Sequence, residues 1–141
     1  MAMIVVATTA SNASELAAEC EAAIIEQLTA PSTFRLVAFD ERAVPLTADD
    51  WLSLDLHNRL SVAAVDAAYA AGILRPVAFI ARVRYEALNA FGVPIRSEVL
   101  CALPTETGLA APVDASSLIL ARPGSIEAML LEHLMSRSGP G

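Results

Sequence analysis

Asp40 and Glu41 are neighbours in the chain, and paired carboxylates can divide acid and base work when their surroundings differ. Upstream, Thr8-Thr9-Ala10-Ser11-Asn12 brings three hydroxyls and an amide together. If Ile4-Val5-Val6-Ala7 is a strand and a helix begins after Asn12, these polar groups lie at a strand-to-helix turn. Free backbone N–H groups and the helix dipole point outward at such a turn and favour anions and ligands. Asp40 and Glu41 follow a second apolar run, so two adjacent parallel strands bring them to the same crevice. His57 can join as a general base if its helix packs beside that edge. Thr8, Thr9, Ser11, Asp40, Glu41 and His57 are therefore the candidate ligand-binding residues. Against them stand plainer readings: helix capping for the hydroxyls, a solvated loop for the acids, an exposed helical imidazole for His57. The turn also lacks glycine, which keeps its backbone away from a phosphate.

Several chemistries are excluded outright. The chain has no lysine, all nine of its cations being arginine, so Schiff-base chemistry, pyridoxal phosphate attachment and the phosphate-loop lysine are ruled out. Two histidines, with two cysteines far apart, give no zinc-ligand spacing. No metal and no cofactor are expected. His133 falls beside the apolar stripe of a C-terminal helix and reads as a histidine at the edge of the core. Cys20 and Cys101 each occupy an apolar position in an expected element and read as buried, inert thiols in a reducing compartment.

The composition sets the frame. A chain of 141 residues with 55% apolar residues can build a core without staples. Charged residues make up only 18%, against about 25% in an average soluble domain. The shortage leaves less material to cover the outside, and exposed apolar patches mark contact with partners. The net charge is −7, all of it carried by residues 1–66. Nucleic acid and anionic membrane surfaces are therefore disfavoured. Val62–Ile80, the longest later apolar stretch, is interrupted by Asp66, Arg75 and Pro76 and cannot span a bilayer. The first residues lack the basic start of a secretion signal, so the cytoplasm is the expected location.

These residues must be positioned by about eight elements. Ile4–Thr8 reads as a strand, then a helix with Leu16, Cys20, Ile24 and Leu28 on one face, then a strand over Thr33–Phe39, together a right-handed parallel βαβ unit. Thr47 caps a helix expected to run to Gly72. That helix carries a stripe of Trp51, Leu54, Val62, Val65 and Tyr69 beyond the one its own sheet needs, a sign of contact with another chain. Period-two alternation from Val77 to Leu103, broken at Asn89-Ala-Phe-Gly-Val-Pro94, marks a β-hairpin. One face of the hairpin is core. The other carries Arg82, Arg84 and Arg96 with Glu86 and Glu98, which neutralise one another. A loop over 104–115, a short strand at Ser117–Ala121 and a helix presenting Ile126, Met129, Leu130 and Leu134 complete the chain.

The expected fold is one α/β domain over 1–135, in the order βαβαβββα, with a mixed sheet of about five strands, helices packed on it and a flexible tail over 136–141. The expected function is a non-catalytic, self-associating assembly or interaction subunit, of a phage- or bacterial-type multiprotein structure or a small acidic chaperone or adaptor. Its partner is protein, in the first instance a copy of itself, through Trp51, Leu54, Val62, Val65 and Tyr69. The alternative is a small enzyme or ligand-binding domain using the crevice of Thr8, Thr9, Ser11, Asp40, Glu41 and His57.

Overall fold

No glycine or proline interrupts the chain between Met3 and Glu26. Alanine, the strongest helix former, recurs throughout, and nothing stops a helix once it has started. A computed structural model of the chain, describing residues 3–54, 61–106 and 118–137 (3–14 by backbone alone), has one helix there, α1 (Met3–Glu26). The strand expected at Ile4–Thr8 is instead the first turns of this helix. A lone strand there would need a parallel neighbour, and every strand pair among the described residues is antiparallel.

After a 3-10 turn at Pro31–Thr33, four strands follow: β1 (Arg35–Pro45), β2 (Val77–Leu88), β3 (Pro94–Thr105) and β4 (Ile119–Ala121). They form one sheet in the order β1-β2-β3-β4. The five-stranded mixed sheet of the sequence reading is thus a four-stranded antiparallel sheet. The hairpin stands where alternation placed it, with Val77 opposite Thr105 and Leu88 opposite Pro94. Asn89 closes its turn, its Oδ1 accepting from the N–H groups of Phe91 and Val93, while Gly92 takes a φ of 75° that a side chain would strain.

The helix expected over 47–72 is divided into α2 (Ala48–Leu54) and α3 (Val62–Ala70). Thr47 Oγ1 accepts from the Asp50 N–H, and Asp50 Oδ2 accepts from the Thr47 N–H at 2.8 Å, a reciprocal capping box. Ser61 Oγ accepts from the Ala64 N–H and caps α3 with that single bond. Gly72, at a φ of 76°, carries the chain away from α3. The last helix, α4 (Ile126–Arg137), includes Ser136 and Arg137 of the expected tail.

Both faces of the sheet are covered. On one, Leu16, Cys20 and Ile24 of α1 pack over Ala81, Val83, Tyr85, Val99 and Cys101. On the other, Ala128, Leu131, Leu134 and Met135 of α4 pack over Val44, Ala78, Ile80, Leu100 and Ala102. The helical stripe of α4 is therefore rotated from the expected one: Leu134 is core, whereas Ile126 and Met129 are exposed. Fully burying a side chain such as Leu131 is worth about 1.5–3 kcal/mol.

The two cysteines are not free thiols. Cys20, on the sheet-facing stripe of α1, and Cys101, on the same face of β3, are joined in a disulfide with their Cα atoms 6.1 Å apart. Both are fully buried. Sequence spacing gave no sign of the pairing, because the bond closes a separation of 81 residues.

Candidate functional site

The expected crevice does not form. Thr8, Thr9 and Ser11 belong to the continuous helix α1, so the strand-to-helix turn that was to present them is missing. Asp40 and Glu41 lie inside β1 rather than in a loop after it. Asp40 stands opposite Arg82, on the α4 face, and Glu41 opposite Ala81, on the α1 face. Successive strand residues point to opposite sides of a sheet, so these carboxylates cannot act on one substrate atom. Burial raises the pKa of Glu41, and its buried Oε1 has no hydrogen-bond partner. His57 lies outside the described residues.

A groove of about 640 Å³ opens between β3, β4 and α4, lined by Glu98, Leu100, Met129, Glu132, His133 and Ser136 among others. Its two carboxylates are already committed to arginines of β2. Arg82 donates to Glu98 at 2.9 Å and also pairs with Glu132, tying the sheet to α4, and these carboxylates hold its guanidinium above the usual pKa. Glu98 lies below the usual carboxylate range, chiefly through the hydrogen bond from Arg84 and then that from Arg82. A carboxylate held ionised in this way is a poor general acid. His133 is exposed, not at the edge of the core. Among the described residues no group of three or more His, Cys, Asp or Glu is arranged to hold a metal ion.

The charged half of the hairpin is a set of cross-strand ion pairs. Glu86 accepts from Arg35 at 2.7 Å and from Arg96 at 3.4 Å, and Glu98 from Arg84 at 2.9 Å. The three hairpin arginines are thus neutralised by Glu86, Glu98 and Glu132.

The stripe Trp51, Leu54, Val62, Val65 and Tyr69 is split by the break between α2 and α3. Leu54 and Val65 are buried within the chain's own core, and Trp51 packs half-buried against the α4 core. Val62 and Tyr69 remain 61% and 40% exposed. Further large apolar side chains stand exposed elsewhere: Ile73 after α3, Phe91 at the hairpin tip, Ile126 and Met129 on α4, and Leu36 and Val37 on β1.

Leu36 and Val37 sit on a feature that the sequence reading missed. β1 is an edge strand and is exposed over Arg35–Ala38. Four charges in its eleven residues, Arg35, Asp40, Glu41 and Arg42, were the available signal, since a buried parallel strand reads as an unbroken apolar run. The chain matches no protein-family model, and neither the curated proteins nor the solved structures include one similar to it.

Proposed function

We propose that this protein is a non-catalytic, self-associating assembly or interaction subunit. The observation that carries the reading is the amount of large apolar side chain left in water on a chain with few charges. Val62, Tyr69 and Ile73 stand out around α3, and Leu36 and Val37 along β1. Exposed apolar surface beyond scattered single side chains marks contact with protein. A net charge of −7 supports a protein partner over nucleic acid.

The Cys20–Cys101 disulfide supports an oxidising compartment over the cytoplasm expected from the start of the chain, because disulfides form and persist where thiols are not kept reduced. No helix among the described residues is long and apolar enough to cross a membrane.

Light scattering across the micromolar range tests the central claim. A mass that rises with concentration above the 14.8 kDa of one chain is expected. A mass that stays at one chain throughout overturns it.

A further inference from the structure

We propose that the outer edge of β1, over Arg35–Asp40, pairs antiparallel with the same segment of a second copy, setting Arg35 against the partner's Asp40. This rests on the self-association reading and names its surface and register. An edge strand presents a row of unpaired N–H and C=O groups, a template for another strand. Here the template is self-complementary. Read against itself in reverse, Arg-Leu-Val-Ala-Phe-Asp sets Arg35 opposite Asp40, Leu36 opposite Phe39 and Val37 opposite Ala38, and then repeats the three pairs about the two-fold axis.

The pleat has to agree, and a bulge makes it agree. Directly opposed residues must point to the same face, which in a regular strand forbids pairing residues five apart. The register of β1 on β2 shifts between Leu36 and Ala38, and one extra residue there reverses the alternation. Arg35 stands opposite Glu86 and Asp40 opposite Arg82, both on the α4 face. Leu36 stands opposite Tyr85 and Phe39 opposite Val83, both on the α1 face. The bulge thus puts both charges on one side and both large apolar residues on the other.

The pairing also extends patterns already present in each sheet. On the α4 face, Arg96, Glu86 and Arg35 are neighbours across β3, β2 and β1. Adding the partner's Asp40 and then the partner's Arg82 continues a row of strictly alternating sign. Asp40 makes no ion pair among the described residues, so its charge is free for this contact. On the α1 face the corresponding row, Ser97, Tyr85 and Leu36 followed by the partner's Phe39 and the partner's Val83, carries no charge. The two neighbouring registers fail. Sliding the pair toward the C-terminus sets Arg35 against Arg42 and Leu36 against Glu41, and sliding it the other way removes both ion pairs.

Sedimentation velocity on charge-swapped chains is the test. Wild-type protein is expected to sediment as a dimer, twice 14.8 kDa. Arg35→Asp and Asp40→Arg each juxtapose like charges twice and are expected to weaken the dimer at least about tenfold. An equimolar mixture of the two restores both ion pairs and is expected to form a one-to-one dimer. Ile126→Asp, at the exposed start of α4, is expected to leave dimerisation intact. Amide exchange on the wild type provides a readout that does not depend on the folding of variants: protection at 35–40 should rise with concentration. A wild-type dimer unaffected by either swap, dissolved by Ile126→Asp, or showing no such protection overturns the edge pairing and leaves self-association standing. Swapped chains that do not associate when mixed overturn the pairing as well. A monomeric wild type overturns both readings.

Discussion

Breaking the Cys20–Cys101 bond is the most informative perturbation, because one change reads out both the packing of α1 and the chemistry of the compartment. The bond ties residues 81 apart in sequence. By the chain-entropy relation, closing a loop of that length in the unfolded state contributes about 4.5 kcal/mol to stability at 25 °C. Set against the 5–15 kcal/mol that holds a typical domain together, that is roughly a third or more of the total. Inside the fold the bond fixes α1, whose buried contacts with the sheet are made by Leu16, Cys20 and Ile24. Because both sulfurs are fully buried, reductant reaches them only after the structure opens. The protein should therefore be unfolded, divided and refolded with and without reductant, then titrated with urea. With a slope of about 2 kcal/mol per molar urea, the reduced form should unfold about 2 M earlier. Amide exchange should rise first along residues 15–26, since α1 loses its covalent tie to β3. Two reactive thiols in unfolded, never-reduced protein, or superimposable urea curves for the two forms, would refute the reasoning.

Two further outcomes follow from single carboxylates. The pKa of Glu41 is raised above 4.5 by burial, so over a window beginning there the folded chain keeps a proton that the unfolded chain releases. Stability should then fall as pH rises through the unfolded value toward the folded one. Glu41→Gln should remove that slope and raise the urea midpoint at neutral pH, and a variant less stable than wild type there would contradict the account. Asp50 behaves oppositely: the hydrogen bond from Arg137, with smaller help from Thr47, depresses its pKa. Its contribution is complete above the ordinary carboxylate value and is lost as pH falls through the lower, folded value. Asp50→Ala removes half of the capping box and should cost about 1 kcal/mol at neutral pH. An unchanged melting temperature would show that the contact of Arg137 at 2.5 Å contributes nothing.

What was legible in the sequence followed how local its cause was. The hairpin could be read because alternation and the Asn89–Pro94 turn are both properties of adjacent residues. Its charged face could be read for the same reason, since Arg82, Arg84, Arg96, Glu86 and Glu98 share one parity and meet across two strands. The caps at Thr47 and the stop at Gly72 were equally local. The errors came from choices that only the tertiary structure decides. Ile4-Val5-Val6 has strand composition, but there is no parallel neighbour for it among the described residues, and an uninterrupted alanine-rich segment follows. The stripe of α4 is turned by about one position: Ala128, Leu131 and Met135 share the core with Ala78 and Ile80, and Ile126 and Met129 are left exposed. The disulfide was invisible because Cys20 and Cys101 become neighbours only when α1 lies on the sheet. The proposed ligand site failed with the βαβ unit that was to assemble it, so Asp40 and Glu41 passed from a shared crevice to opposite faces of one strand.

That last displacement changes what the acids of β1 are for. Charges on an edge strand ordinarily discourage other strands, because a foreign apolar partner would have to face them unpaired. Arg35 and Asp40 do this against most sequences, but not against their own. Opposite signs at the two ends of a six-residue segment cancel when the segment meets itself in reverse, and only in the register that also pairs Leu36 with Phe39. Beyond the segment, Arg42 penalises the two-residue slip by meeting Arg35, so the charges that admit one register reject its nearest competitor. The extra residue between Leu36 and Ala38 is what allows this. Without it, Arg35 and Asp40 would point to opposite faces, and the same six residues would protect the edge against every strand, their own included.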